Sequence, residues 1–185
     1  MPEYKLLNPL IVGDNVNTYF KAKNIDNAAK ESWNSISNYI TGNVPRFGFT
    51  LQDTTNGDLH HFMVKEKNNK NETVDYAINK LNIDMNTDQE NKFVNYINRL
   101  EPTINKQVGG DSSKCNNDDS PDDDDEELYE KLSLYKHKNT PIIYWWYNPL
   151  LYTMYGSNYT SIYIPTIIPT MIPYVEIDVS SAFFV

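Results

Sequence analysis

The residues best suited to metal or nucleophilic chemistry are few in this chain and poorly spaced for it. The chain has three histidines and one cysteine, Cys115. His60 and His61 are adjacent, and neighbouring strand residues point to opposite faces, so the two cannot ligate one metal ion. His137 lies far away in the chain, and no Cys-x-x-Cys or His-Glu-x-x-His motif occurs. We therefore predict no metal centre and no cofactor, and ordinary sheet positions for His60 and His61.

A second candidate for chemistry is the acidic run from Asp122 to Glu127. It lacks the alternating ligands and the central glycine of a calcium-binding loop, so we interpret it as part of a solvated linker. No Gly-rich phosphate loop, nucleophile elbow or pair of catalytic carboxylates is recognisable in the sequence. These patterns favour a protein that is not an enzyme.

Basic side chains that flank the predicted strands point to another kind of chemistry, the binding of phosphate groups. The set is Lys21, Lys23, Arg46, Lys65 and Lys67. Acidic residues are interspersed among them and the chain has a net charge of −9, which disfavours sequence-independent binding to nucleic acid. Nucleic-acid binding is therefore the alternative hypothesis, with the acidic linker competing for the same basic residues.

The segment 139–185 is the most unusual part of the chain. Its 47 residues include seven Tyr, two Trp and five Pro, but no Lys, Arg or His. So many rings would form an apolar patch in water, so they must cover the rest of the chain, a sister subunit or a partner. We predict a protein interface or self-association through Tyr144, Trp145, Trp146, Tyr147, Tyr152, Tyr163 and Tyr174. The other interpretation, with nearly equal support, is that these rings complete the chain's own core.

Charge and composition divide the chain into three parts. Residues 108–138 carry ten acids against four bases, and residues 108–130 contain almost no apolar residue. Such a segment cannot bury enough surface to fold. We therefore predict an α+β domain at 1–107, a disordered acidic linker at 108–130, and an aromatic, Pro-rich segment at 131–185 that packs back on the domain or forms an interface.

The same patterns bear on the compartment. Prolines interrupt every uncharged window of about 20 residues that a membrane-spanning helix would need. The start of the chain has too short an apolar run for a signal peptide, and a single cysteine allows no intrachain disulfide. We expect an intracellular protein without a membrane span that is not secreted.

The elements that would position these residues begin with a small β-α-β-β unit. Leu10–Val12 and Val16–Ala22 are predicted to form a hairpin, followed by a helix that Asn24 caps. Its apolar face includes Ile25, Ala29, Trp33, Ile36 and Ile40. A second hairpin, from Arg46 to Lys65, turns at Asn56-Gly57, a favoured pair for a tight turn.

Two short helices and an extended C-terminal segment complete the predicted α+β fold. Val74, Ile78 and Leu81 have helical spacing, and Thr87 and Glu90 match a capping box before a second helix that Pro102 would end. Strands are predicted at Tyr144–Tyr147, at 150–152 and at 174–179. The prolines at 165, 169 and 173 indicate an extended path over a surface.

A short stretch of the chain has a counterpart in a known family. It comprises Asn17 to Lys67, with the motif Tyr19-Phe20-Lys21-Ala22-Lys23, then Asn27-Ala28-Ala29-Lys30 and the hairpin from Arg46 to Lys65. This stretch resembles the archaeal chromosomal protein MC1 family, of which large DNA viruses carry similar domains. The resemblance implies a DNA-binding module.

The general style of the sequence points to a source. Lys outnumbers Arg by 14 to 2 and Asn occurs 24 times, which is typical of A/T-rich genomes. Together with the aromatic tail, the chain looks like an uncharacterised protein of a giant or other large nucleocytoplasmic DNA virus. The resemblance implies a structural or interaction role in assembly, in the virion or in the viral factory of the host cytoplasm.

Overall fold

The fold combines helices on two sides with strands in three sheets, which is consistent with the predicted α+β class. The structure is a computed structural model, and it describes residues 1–13, 16–41, 45–68, 74–109, 142–153, 166–167, 174–179 and 183. The helices are α1 (Ile25–Ser37), α2 (Thr87–Gly109) and α3 (Leu150–Thr153). The strands are β1 (Glu3–Asn8), β2 (Leu10–Val12), β3 (Tyr19–Lys21), β4 (Ile40–Thr41), β5 (Arg46–Asp53), β6 (Leu59–Asn68), β7 (Val74–Leu81), β8 (Tyr144–Tyr147), β9 (Thr166–Ile167) and β10 (Tyr174–Ile177).

A five-stranded sheet in the order β3-β1-β5-β6-β7 forms the largest layer. Its centre is the predicted hairpin, in which Arg46 opposes Lys65 and Phe49 opposes Phe62. Gly57 adopts a φ of 84° at the turn, a conformation that costs glycine little. Phe47 and Phe49 point to one side of this sheet, which we call the α1 face, and Gly48 and Thr50 point to the other, which we call the inner face.

Helix α1 packs on the α1 face. It begins as predicted, because the side chain of Asn24 accepts a hydrogen bond of 2.9 Å from the backbone N–H of Asn27. Trp33 is buried, with its ring 5.7 Å from that of Phe47 and 5.1 Å from that of Tyr76. The helix ends at Ser37, so Ile40, predicted on its apolar face, lies instead in β4.

The predicted N-terminal hairpin is wrong. Strand β3 pairs with β1 rather than with β2, and Glu3 opposes Lys21. Strand β2 pairs with β8, in a three-stranded sheet of order β10-β8-β2. All three residues of β2 are buried. Pairing with β3 through a short turn would have left at least one face of β2 without a covering layer. A strand buried in this way needs neighbours on both faces, which only distant parts of the chain supply.

Two predicted helices also differ from the structure. Residues 74–81 form β7, whose eight residues pair with β6 along their whole length, although their spacing also fits a helix. Helix α2 continues through Pro102 to Gly109, and the complete burial of Ile104 favours this extension. Its N-terminal box is formed by Asn86 and Gln89, since each side chain accepts a hydrogen bond from the other's backbone N–H, rather than by Thr87 and Glu90.

The remaining boundary predictions have mixed outcomes. Strand β8 is confirmed at Tyr144–Tyr147, and β10 covers part of the predicted strand 174–179, whereas 150–152 form part of the helical turn α3. The predicted linker 108–130 lies outside the described residues apart from the last two residues of α2, and so do Tyr163 and the prolines at 165, 169 and 173. Among the described residues, no helix has both the length and the apolar character needed to span a membrane.

Candidate functional site

Strand β8 is buried along its whole length. The side chains of Tyr144, Trp145, Trp146 and Tyr147 are all 0% exposed, and Tyr152 is 3% exposed. Residues that alternate along a strand point to opposite sides, so the four rings fill two different interfaces within the fold. The structure therefore places these rings in the core, the second of the two roles that the sequence left open, and not on an exposed surface.

One side of β8 faces helix α2. The ring of Trp146 lies 6.4 Å from Phe93 and 5.4 Å from Tyr96, and Phe183 completes this cluster. Tyr144 stacks on Tyr174 at 5.7 Å. Aromatic pairs at these distances add to the free energy gained from burial alone. Tyr174, another predicted interface anchor, is only partly buried.

The other side of β8 faces the five-stranded sheet. Tyr147 stacks on Phe47 at 5.3 Å, and its hydroxyl donates a hydrogen bond of 3.1 Å to the carbonyl oxygen of Gly48. Tyr152 covers the inner face of the sheet directly above Gly48, where a Cβ atom would overlap the phenol ring. Position 48 therefore requires glycine because of this close approach.

The hydroxyl of Tyr152 belongs to a series of buried polar groups that are connected by hydrogen bonds. His61 Nδ1 and Thr50 Oγ1 are 2.9 Å apart, and Thr50 Oγ1 and Tyr152 Oη are 2.8 Å apart. Asn8 Nδ2 donates to Tyr152 Oη at 2.8 Å, and the same phenol donates to the carbonyl oxygen of Asn8 at 3.3 Å. All four residues are at most 5% exposed. We call this set the polar chain: Asn8, Thr50, His61 and Tyr152.

Asn148 attaches the polar chain to α3. Its backbone N–H donates to Asn8 Oδ1 at 3.1 Å, and its carbonyl oxygen accepts from Asn8 Nδ2 at 2.9 Å. Its own side chain accepts from the backbone N–H of Leu151 at 3.3 Å, the bond of a helix N-cap, with Pro149 in the first helical position. The proline predicted to break a strand therefore begins a helical turn that carries Tyr152 to the sheet.

Burial changes the ionisation of several of these groups. Burial, with smaller contributions from His60 and Lys80, lowers the pKa of His61 to about 4. Burial also raises the pKa of Tyr147 and that of Tyr152 far above the usual range. The pKa of Tyr144 is raised by burial and then by Glu176, whose carboxylate accepts a hydrogen bond of 2.7 Å from the phenol. The surroundings therefore favour the neutral form of each of these groups.

The five basic residues predicted for nucleic acid do not form one patch. Arg46 and Lys65 oppose each other at one end of the five-stranded sheet, and Lys67 follows on the same strand and face. Lys21 opposes Glu3 near the other end and lies 3.5 Å from its carboxylate. A strand rises about 3.3 Å per residue, so the two ends of β5 are roughly 23 Å apart. Lys23, two residues after Lys21 in the sequence, lies near that same far end.

The edge of the five-stranded sheet at β7 is a separate candidate. In the part of the chain that the structure describes, β7 is hydrogen-bonded to β6 alone. The ring of Tyr76 is 39% exposed there, and it shares the α1 face with Ile78 and Lys80. A strand at a sheet edge presents unpaired backbone donors and acceptors and is a template for another strand.

Comparison with known proteins gives one informative relative. An uncharacterized protein of Acanthamoeba polyphaga mimivirus is 33% identical over 110 residues, which cover 60% of this chain and 59% of the relative. The chain thus spans less than two thirds of the relative's length. The similarity supports the prediction of a giant-virus protein. No family model and no solved structure matches, so the MC1 resemblance gains no support.

Sequence reasoning missed the polar chain. Asn8 and Thr50 carry no local motif, and their partners lie 144 and 102 positions away along the chain. His61 was predicted only as an ordinary sheet position. The one local signal was Asn148-Pro149, a pair typical of the start of a helix, whose significance depends on the fold around it.

Proposed function

We propose that this chain is a non-enzymatic structural or interaction protein of a giant virus, and that it associates through the β7 edge of its five-stranded sheet. The observation that carries the proposal is strand β7, eight residues long and paired on one side only among the described residues. Backbone hydrogen bonds across such an edge are a recurring way of joining two proteins. The setting would be the virion or the viral factory in the host cytoplasm.

The partner we infer is a second copy of the chain. The whole chain has a net charge of −9, but within β7 one acid, Asp75, is balanced by one base, Lys80. When the β7 strands of two copies pair antiparallel about a two-fold axis, directly opposed residues lie on the same face of the joined sheet. In the proposed register, the residue at the axis lies opposite the same residue of the second copy. With Ile78 at the axis, Tyr76 of each copy lies opposite Lys80 of the other copy. No two residues of like charge then lie opposite each other within β7. This register permits two cation–π contacts.

Sedimentation velocity over a range of concentrations tests the proposal. We expect the mass of the full chain to rise towards that of a dimer between about 1 µM and about 200 µM, as mass action requires. The double variant Ala77→Lys/Asn79→Lys should remain monomeric, because these two positions would oppose each other and bring lysines together. The variant Asn91→Lys/Asn98→Lys, with the same charge change on exposed positions of α2, should still associate.

Two results would contradict this proposal. A monomer across the whole range would remove self-association, and equal loss of association in both double variants would show that charge alone, and not the edge, is responsible. Circular dichroism on each variant shows whether the fold is retained.

A second candidate function is binding of nucleic acid on the inner face of the five-stranded sheet, at the end where Arg46 opposes Lys65. The observation in its favour is the grouping of Arg46, Lys65 and Lys67 on one face, although Asp75 opposes Lys67. Salt-sensitive binding of duplex DNA that is lost in Lys65→Gln/Lys67→Gln, and kept in Lys21→Gln/Lys23→Gln, would support it. Binding that is insensitive to salt, or equal loss in both variants, would exclude this site.

A further inference from the structure

The polar chain places one titratable side chain between the five-stranded sheet and the C-terminal segment. His61 belongs to β6, and it reaches Tyr152 of α3 through a single hydroxyl, Thr50 Oγ1, with contacts of 2.9 Å and 2.8 Å. The imidazole is 5% exposed and Tyr152 is 3% exposed. Both side chains are therefore shielded from water while α3 packs on the sheet.

The hydrogen-bond directions in the polar chain depend on the charge of His61. With a neutral imidazole that carries its proton on Nε2, Thr50 donates to Nδ1, and the phenol proton of Tyr152 is shared between Thr50 Oγ1 and the carbonyl oxygen of Asn8. With a charged imidazole, both ring nitrogens are donors, so Thr50 must accept from Nδ1 and donate to Tyr152. The charge on His61 therefore fixes the direction of hydrogen-bond donation at Thr50.

The groups around His61 offer no compensation for a positive charge. On its own strand the neighbour is His60, and on β7 the residues beside it are Leu81, directly opposite, and Lys80. Thr50 on β5, Asn8 on β1 and Tyr152 on α3 are uncharged at neutral pH. Among the residues that the structure describes, Asp53 and Asp58 act on His60, whereas no carboxylate is among the charges that act on His61. A buried cation without a counter-ion is strongly destabilising.

We propose that His61, Thr50 and Tyr152 form an acid-sensitive latch: protonation of His61 releases the segment 142–153 from the five-stranded sheet and exposes its aromatic rings. The strand ladders that hold the segment 142–153 are shorter than those that join β5, β6 and β7. Strands β5, β6 and β7 are held to one another by ladders of seven and eight residue pairs, whereas β8 pairs with β2 over three residues and with β10 over four. Opening would make Tyr147 and Tyr152 available to a partner, which reconciles their burial at neutral pH with the aromatic composition of the segment. This inference does not rest on pairing at β7.

The direction of the pH effect follows from linkage. Burial lowers the pKa of His61 in the closed form from 6.5 to about 4. The closed form is therefore fully favoured above pH 6.5 and loses stability as the pH falls towards 4. Each pH unit in that window shifts the ratio of closed to open by nearly tenfold, about 300-fold in all.

Hydrogen exchange read by mass spectrometry tests the latch in the full chain. From about pH 7 to about pH 4.5, after correction for intrinsic rates, we expect protection of 142–153 to fall by up to about 100-fold, with that of 46–81 falling much less. His61→Asn keeps a polar group near Thr50 but cannot be charged. In this variant the protection of 142–153 should therefore no longer fall with pH. His60→Asn, at the half-buried neighbour, should retain it.

Several outcomes would overturn the latch. One is an unchanged pH dependence in His61→Asn, and another is a parallel loss of protection in 46–81, which would indicate global unfolding. Should His61→Asn not fold, NMR of the imidazoles in the unaltered chain decides. Titration of His61 near pH 6.5 with 142–153 still protected would exclude the latch, and a neutral imidazole down to about pH 5 would support it.

Discussion

Tyr152 Oη and Thr50 Oγ1 share a hydrogen bond of 2.8 Å across 102 positions of sequence, and this bond joins α3 to the middle of the five-stranded sheet. We expect Tyr152→Phe to lower the free energy of unfolding by about 1–3 kcal/mol, because Thr50 and Asn8 each lose a buried partner. Denaturant unfolding measures it. Tyr19→Phe is the control, since Tyr19 is 45% exposed, and it should have almost no effect. Equal effects of the two substitutions would contradict the importance of this bond.

Gly48 tests the closeness of the same contact. We expect Gly48→Ala to cost about 1–3 kcal/mol, because the new methyl group must displace the Tyr152 ring. In Gly48→Ala/Tyr152→Leu the loss should be smaller than the sum of the two single losses, since the clash is removed. Additive losses in thermal or denaturant unfolding would show that the ring and the glycine act independently.

Trp146 distinguishes core from surface for the aromatic strand. Trp146→Ala removes a ring packed against Phe93 and Tyr96, so we expect a loss of about 3–5 kcal/mol with less cooperative unfolding. Val175→Ala, at a side chain that is 41% exposed, should change stability little. A stable and cooperative Trp146→Ala variant would instead favour a surface role for this ring.

Helix α2 offers a comparison of two adjacent caps. We expect Asn86→Ala to cost about 1 kcal/mol, because its side chain accepts a hydrogen bond of 3.0 Å from the backbone N–H of Gln89. Thr87→Ala should cost only a few tenths of that. Denaturant unfolding measures both losses. A larger loss for Thr87→Ala than for Asn86→Ala would support the capping box at Thr87 and Glu90 that the sequence pattern predicted.

Alkaline titration should reveal the buried phenols. Burial, with smaller contributions from Glu176 and Asp178, raises the pKa of Tyr96 to about 12, so the folded state favours the neutral phenol. This contribution is complete below pH 10 and is lost as the pH rises from about 10 towards 12. We expect Tyr96→Phe to shift alkaline unfolding, followed by circular dichroism, to higher pH. A phenol of Tyr96 that ionises near pH 10 in the folded chain would contradict this assignment.

Local features of the fold were predictable and distant ones were not. The cap at Asn24 and the turn at Asn56-Gly57 depend on residues within a few positions, so α1 and the β5–β6 hairpin follow from the sequence. The spacing in β7 fits a helix or a strand until its pairing with β6 is known. Composition indicated that the rings of β8 must be covered, but the cover, α2 on one side and the five-stranded sheet on the other, comes from residues far away in the chain.

The pairing of β2 with β8 means that the three-stranded sheet is assembled from two distant parts of the chain. Residues 1–109 contain one of its strands, and residues 142–179 contain the other two. A single cut of the backbone between residues 109 and 142 would therefore yield two fragments that recognise each other through a shared sheet. Conversely, a shortened chain that lacks β8 would expose the buried face of β2, so the aromatic segment acts as a built-in folding partner for the rest of the protein.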